Sequence, residues 1–300
     1  MPSDFIALSD YTTDELSGLL ELAKDLKEKK RSGELYQPLL GKTIAMLFEK
    51  PSLRTRMTFE AGIFQLGGQS IFMTTKLGAR ETVPDMARNL ERWVDCIVAR
   101  THSHSDVLEL AEYASIPVIN ALTDNLHPCQ VLADAQTVLE HKGSLDGLKV
   151  VFVGDGNNMF ASWANLATRY SFDLSLVCPE GYELKGPAHD NAVSNALGTY
   201  SITNDVDAGL AGADVVYTDV WASMGMEDEY EKRLREFMPY QVNEALMAKA
   251  KDDAIFMHCL PAHRGEEVTH EVIESQQSVV FDEAENRLHA QKAVMVHLMQ

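Results

Sequence analysis

The chain has 300 residues, 45% apolar and 24% charged, which is ordinary for a globular protein and long enough for two domains that each bury a core. Its net charge of −19 argues against nucleic acid or an anionic membrane as the main partner, because both demand a basic face. Cys96, Cys129, Cys178 and Cys259 are scattered without a C-x-x-C pair, which fits a reducing compartment and neither a disulfide framework nor a zinc site.

In chain order, the stretch 1–10 carries acids and no apolar core, unlike a signal or transit peptide. No later run approaches the ~18 apolar residues of a membrane span, so a cytoplasmic protein is expected. Asp14 to Lys27 has apolar residues at helical spacing behind Thr12 or Thr13 as cap. Thr43 to Phe48 reads as a buried strand. After it, Leu53, Met57, Ala61 and Phe64 recur at helical spacing until Gly67-Gly68, so Ser52 stands where a strand turns into a helix. Free N–H groups and the positive end of the helix dipole meet there, joined by Arg54, Arg56, Ser52 and Thr55. Two arginines in a first turn are locally unfavourable, and a bound dianion is the natural compensation. The alternative is a capped surface helix with solvated arginines. The expected occupant is an anion, phosphate above all.

Ser70–Met73 reads as strand, Lys76–Glu81 as a polar loop, Val83–Trp93 as helix, and Cys96–Ala99 as a strand ending at Arg100. Val107–Tyr113 reads as helix, Pro117–Ile119 as strand, and His127–His141 as a helix with Pro128 near its first turn. His127 and Gln130 can both face a carbonyl at that helix start; a backbone cap is the alternative for His127. The turn cluster 142–147 divides the chain into domains 1–141 and 142–284, with a C-terminal helix, 285–300, packing back on the first.

In the second half, strands are expected at Lys149–Val153, Leu174–Val177, Val215–Thr218, Ile255–His258 and Val279–Phe281, with a helix from Met159 to Tyr170. Gly154-Asp-Gly-Asn-Asn158 resembles a dinucleotide loop only in part: Met159 stands where the third glycine belongs. Asn157 and Asn158 at a helix start suit a zwitterion better. Asp219 ends one strand, where turn chemistry is the alternative role. His258-Cys-Leu-Pro261 ends another; His258, Cys259 and His263 lack a fourth ligand at finger spacing, so no metal is expected. Strand–turn–helix units of this kind imply an α/β protein of two domains, each a mainly parallel sheet flanked by helices. The ligand site is expected in the crevice between them.

Taken together, Phe48-Glu-Lys-Pro-Ser-x-Arg-Thr-Arg56, Arg100-Thr-x-Ser-His104, His127-Pro-Cys-Gln130, Asp219-Val-Trp-x-Ser-Met-Gly225 and His258-Cys-Leu-Pro-Ala-His-Arg-Gly-Glu-Glu267 resemble the aspartate/ornithine carbamoyltransferase family, the ornithine branch most of all. The resemblance runs end to end. It implies transfer of a carbamoyl group from carbamoyl phosphate to L-ornithine, giving L-citrulline and phosphate, with no cofactor and no metal. On the matching positions it implies that Ser52, Leu53, Arg54 and Thr55 hold the phosphate. Arg100, His127 and Gln130 grip phosphate and carbamoyl group, with Pro128 and Cys129 beside them, and Arg287 completes the cationic cage. Asn158, Asp219, Ser223 and Met224 bind the ends of ornithine, and Cys259 and Leu260 lie beside the reacting carbon and the δ-amine. The resemblance also implies a homotrimer in which Lys76 reaches a neighbouring subunit's site. Two positions depart from the ornithine pattern: Leu53 stands where Thr is usual, and Lys76, in a short loop, where Gln is common. They bear on acceptor choice, which leaves N-acylornithine or another amine as alternative acceptors; a non-catalytic regulatory relative is the other alternative.

Overall fold

In the computed structural model, which describes residues 3–222 and 227–300, the Thr12 hydroxyl accepts from the Glu15 N–H while the Glu15 carboxylate accepts from the Thr12 N–H. That reciprocal cap starts helix α1 (Thr13–Ser32), and Gly33, at φ 77°, ends it. The chain then alternates β1 (Thr43–Phe48), α2 (Leu53–Gln65), β2 (Gln69–Thr74), α3 (Val83–Leu90), β3 (Cys96–Arg100), α4 (His104–Tyr113), β4 (Val118–Leu122) and α5 (Pro128–Lys142). The four strands form a parallel sheet in the order β2-β1-β3-β4. β1, β3 and β4 are almost unbroken apolar runs because helices cover both faces of a parallel sheet; β2, at the edge, is largely exposed. Ala45, Leu47, Ile97 and Ala99 on one face pack with Val83, Ala87, Val107 and Leu110.

A second series follows: β5 (Lys149–Val153), α6 (Asn158–Ala167), β6 (Asp173–Val177), α7 (Pro187–Asn195), β7 (Tyr200–Thr203), α8 (Val206–Leu210), β8 (Val215–Thr218), α9 (Tyr230–Phe237), α10 (Glu244–Met247), β9 (Ile255–His258), α11 (His270–Ile273) and α12 (Val280–Met299). Its parallel sheet has the order β7-β6-β5-β8-β9, with Val151, Val153, Val216 and Phe256 in the core of one face. The chain divides into two units, Met1–Gln136 with Glu285–Gln300, and Thr137–Ala284. Among the described residues no helix is long and apolar enough to cross a membrane.

The α/β class with two parallel, helix-flanked sheets is as the sequence led us to expect. Three local readings are corrected. Val279–Phe281 is not a strand: only Ser278 bridges Phe256, and α12 begins at Val280. Because α12 is buried on most sides, its start reads as a short apolar run rather than as an amphipathic stripe. The apolar series of α2 has helical spacing, but it marks the wrong face. Leu53 (74% exposed), Met57 and Phe64 (79%) point outward, while Thr55, Phe59, Gly62 and Ile63 are buried. Gly62 allows α12 to come close, since a Cβ there would lie 3.1 Å from Lys292 Cγ. Finally, β7 was not anticipated; its four residues are only half-buried, too short and too weakly patterned to stand out.

Each sheet reverses strand order once, between β1 and β3 in the first unit and between β5 and β8 in the second. In open parallel sheets the turns beyond such a reversal part and leave space for a ligand.

Candidate functional site

The first set of polar side chains gathers at the β1/β3 reversal. β1 ends at Phe48, and Ser52 takes extended backbone to cap α2, its hydroxyl accepting from the Thr55 N–H at 3.2 Å. The first turn of α2 contains no acid. The buried Thr55 hydroxyl accepts from Arg100 Nη1 (3.4 Å), which comes from the end of β3, and from Arg287 Nη2 (3.2 Å), which comes from α12. Arg287 Nη1 donates in turn to Gln130 Oε1 on α5, and Gln130 Nε2 donates to Asp134 Oδ1 at 2.8 Å. His127 is buried just ahead of α5. Its burial, and then the guanidinium groups of Arg287, Arg100 and Arg54, hold its pKa well below the usual imidazole value. The imidazole is therefore neutral near pH 7, a donor and an acceptor in one ring. Three guanidinium groups gathered near a helix N-terminus, in a chain of net charge −19, form a cluster that can hold an anion.

Not every residue expected there takes part. Arg56 turns away: its Nε donates to Glu60 Oε1 at 2.9 Å and its guanidinium lies 3.8 Å from the Phe72 ring centroid. The Cys129 thiol points to the Asn120 carbonyl at 3.4 Å, and burial pushes its pKa up to about 12. Pro128 is buried as the first residue of α5, whereas Leu53 and Lys76 are exposed. Two residues inside the quoted motif were passed over. Glu49 accepts from Thr101 Oγ1 (2.6 Å) and from the His102 N–H (3.3 Å), and the buried Lys50 pairs with Asp124. Together they tie the turns after β1, β3 and β4. A lysine preceding Pro51 at a strand end was the available signal.

The second set gathers at the β5/β8 reversal. Asn157 caps α6 by accepting from the Met159 and Phe160 N–H groups, and its Nδ2 donates to Asp219 Oδ2 at 2.8 Å. The amide that meets Asp219 is thus Asn157; Asn158 is the first residue of the helix. Gly156 has a packing role of its own, because a Cβ there would fall 2.3 Å from the Leu184 nitrogen. That accounts for the second glycine of the G-x-G without a dinucleotide. Asp219 Oδ1 accepts from the Val220 N–H at 2.8 Å and from the Cys259 thiol at 3.1 Å. Cys259 leaves β9 half-buried, and Leu260 follows in the left-handed region at φ 55°. The ligand atoms of Asp219, His258 and Cys259 lie within 4.8 Å of one another. However, His258 Nδ1 accepts from the Leu260 N–H and its Nε2 faces Glu267 Oε1 at 3.0 Å, so both ring nitrogens are already engaged. Ser223 and Met224 lie outside the described residues.

Known proteins carry the same two-part organisation. The family model for the aspartate/ornithine carbamoyltransferase carbamoyl-P binding domain matches residues 3–140, and that for the Asp/Orn binding domain matches 146–298. The chain is 52% identical to the ornithine carbamoyltransferase of Anoxybacillus flavithermus, over 99% of this chain and 96% of that one. It is 48% identical to the anabolic ornithine carbamoyltransferase of Pseudomonas aeruginosa, over 99% and 97%. The solved structure of ornithine carbamoyltransferase from Pyrococcus furiosus superposes with a TM-score of 0.95 at 48% identity, covering 99% of this chain and 96% of that one. Matches this long and this similar, to both halves and in the right order, mean that the chain belongs to the aspartate/ornithine carbamoyltransferase family.

Proposed function

We propose that the protein is an ornithine carbamoyltransferase of arginine metabolism: it moves the carbamoyl group of carbamoyl phosphate to the δ-amine of L-ornithine, releasing L-citrulline and phosphate. The observation that carries the reading is the gathering of Arg54, Arg100 and Arg287 around a neutral His127 at the cap of α2. In this reading Ser52, Leu53, Arg54 and Thr55 cradle the phosphate through backbone and side chain. Arg100, Arg287 and Gln130 complete the grip, and neutral His127 donates an N–H to the carbamoyl oxygen. The δ-nitrogen lone pair attacks the carbonyl carbon, the new C–N bond forms, and the C–O bond to phosphate breaks. The proton lost by nitrogen leaves with the phosphate. Donors fixed on the carbonyl oxygen and on the departing phosphate stabilise the charge that develops on both. This chemistry draws on no cofactor or metal.

In the second unit Asp219 takes the α-ammonium of ornithine, with Asn158, Ser223 and Met224 assigned to its α-amino and α-carboxylate ends. Cys259 and Leu260 are assigned to the neighbourhood of the δ-amine, and the Cys259–Asp219 pair can help it lose a proton. A homotrimer in which Lys76 serves a neighbouring site is supported by the apolar side chains that α2 and β2 leave exposed: Leu53, Met57, Phe64, Ile71 and Met73. Four free thiols support a cytoplasmic location.

The acceptor is tested with L-ornithine, N-acetylornithine, putrescine and aspartate side by side. Asp219 is 8% exposed, and an acylated amine would leave its carboxylate facing an uncharged group, a penalty of about 2–5 kcal/mol. Ornithine should therefore lead by at least about a hundredfold in kcat/KM, roughly 2.7 kcal/mol. Equal use of N-acetylornithine would overturn the assignment of Asp219 and make Leu53 the better guide.

A further inference from the structure

Arg233, on α9, has no place in the site as assigned, yet the residue is 7% exposed and its guanidinium makes three hydrogen bonds. Nη1 donates to Asp155 Oδ2 at 2.7 Å and to the Trp221 carbonyl at 2.9 Å, and Nε donates to Glu229 Oε2 at 2.9 Å. The first two partners matter for where they sit. Asp155 lies in the β5–α6 turn, two positions before Asn157, and Trp221 lies beyond β8, two positions after Asp219. Asn157 Nδ2 and Asp219 Oδ2, at 2.8 Å, join the same two turns from the other side. The bonds thus close a ring: Asp219 to Trp221 along the chain, across Arg233 to Asp155, along the chain to Asn157, and back to Asp219.

Aromatic groups pack beside Arg233 and Trp221. Trp221 stacks on Phe237 with centroids 5.9 Å apart, Tyr182 meets Phe237 edge-on at 4.6 Å, and the Arg233 guanidinium lies 5.0 Å from the Tyr182 centroid. Burial raises the Asp155 pKa, and Arg233 opposes that shift, so the carboxylate relies on the permanently charged guanidinium beside it. A buried pair serving only to fix α9 would need one bond to one turn. Here one guanidinium nitrogen, Nη1, bonds both turns, while Nε, fixed in the same plane, ties the group to Glu229 on its own side. Among the described residues, the bonds to the Asp219 carboxylate come from elements near those two turns: the Val220 N–H, Asn157 Nδ2 and the Cys259 thiol.

We propose that Arg233 is a positioning residue for the acceptor amine, setting the gap between the Asn157 and Asp219 turns and so the direction in which the Asp219 carboxylate faces. The inference rests on the reading that Asp219 holds ornithine. It adds a specificity determinant that touches no substrate.

The test uses the full chain carrying Arg233→Met, Arg233→Lys and the pair Asp155→Asn with Arg233→Met. Steady-state kinetics are measured for each substrate, together with melting temperature and the rate at which iodoacetamide alkylates Cys259 without substrates. The other three cysteines are buried, so alkylation reports on Cys259. Arg233→Met should raise the KM for ornithine by about tenfold or more and leave that for carbamoyl phosphate within about twofold. The alkylation rate should change by at least about threefold as the thiol loses its fixed acceptor. Arg233→Lys keeps the charge but not the planar, fixed set of donors, and should fall between. The double variant removes the unpaired buried carboxylate; it should regain melting temperature while its ornithine KM stays high. A double variant that is as stable as wild type with a normal ornithine KM would overturn the proposal, as would a rise of both KM values together. If the wild type makes no citrulline, the functional reading has failed, and the alkylation rate alone then decides whether Arg233 sets Asp219.

Discussion

Lowering the pH should destabilise this protein through one side chain in particular. His127 is buried against α5 and faces Arg54, Arg100 and Arg287, so its folded-state pKa lies well below the usual value of about 6.5. A group depressed on folding contributes stability that is fully present above its unfolded pKa. That stability is lost as the pH falls from there toward the folded value, because the unfolded chain takes up the proton first. One proton is worth about 1.4 kcal/mol per pH unit, so each unit by which the pH falls below about 6.5 should cost up to that much through His127 until the folded value is reached. For units of this size that is a melting shift of about 3–6 °C per pH unit. The assay compares ligand-free wild type with His127→Gln at about pH 7.5 and at successively lower pH; the wild type should lose stability more steeply than the variant. Imidazole resonances give a second view, with the His127 ring titrating well below its ordinary value. A ring that titrates near its ordinary value in the folded protein, or equal losses in both proteins, would refute the reasoning. Added phosphate should offset the three arginines and move the His127 midpoint upward.

Other side chains give sharper single outcomes. Arg54→Ala should lose about 2–4 kcal/mol of transition-state stabilisation, a fall in turnover of about 30- to 1000-fold, with melting temperature near wild type; near-normal activity would remove the anion-site reading. Tyr217 donates to Glu283 Oε1 at 3.1 Å with both groups buried, so Tyr217→Phe should cost about 1.5–3 kcal/mol in thermal unfolding, and an unchanged melting temperature would mean that other donors, the His258 N–H on Oε2 among them, satisfy the carboxylate without it. Phe64 is 79% exposed on α2, so Phe64→Glu should shift sedimentation toward a smaller species without lowering the helical circular dichroism signal. A variant that sediments like wild type would count against a homotrimer built on this face.

Much of the fold was legible because parallel strands announce themselves. TIAMLF and CIVAR are nearly pure apolar runs, and the polar residues past the first and at the end of the second, Ser52 and Arg100, fall at the sheet's reversal. What stayed hidden was hidden for identifiable reasons. The outward face of α2 is as apolar as its buried face, so spacing gave the helix without its orientation. Asn157 and Asn158 are adjacent amides, and only the cap decides which of them reaches Asp219. Arg287 is far along the chain from Thr55, and only the family resemblance pointed to it before α12 was seen to bring them together. Arg233 sits in a helix rich in charge, where a buried arginine looks like its solvated neighbours until Asp155 and Trp221 are found around it.

The division of the chain has a consequence for its synthesis. The first unit is interrupted: Thr137–Ala284 is inserted between its main body and the segment beginning at Glu285. A ribosome making about 5–20 residues per second needs roughly 7–30 s to cross that insert. Through that interval the nascent first unit lacks α12, leaving Gly62 uncovered and Thr55 without Arg287. The uninterrupted second unit can complete itself first. The Arg100–Thr55–Arg287 cluster is therefore among the last features to close, and an unfinished chain can set the Asn157 and Asp219 turns before that cluster is whole.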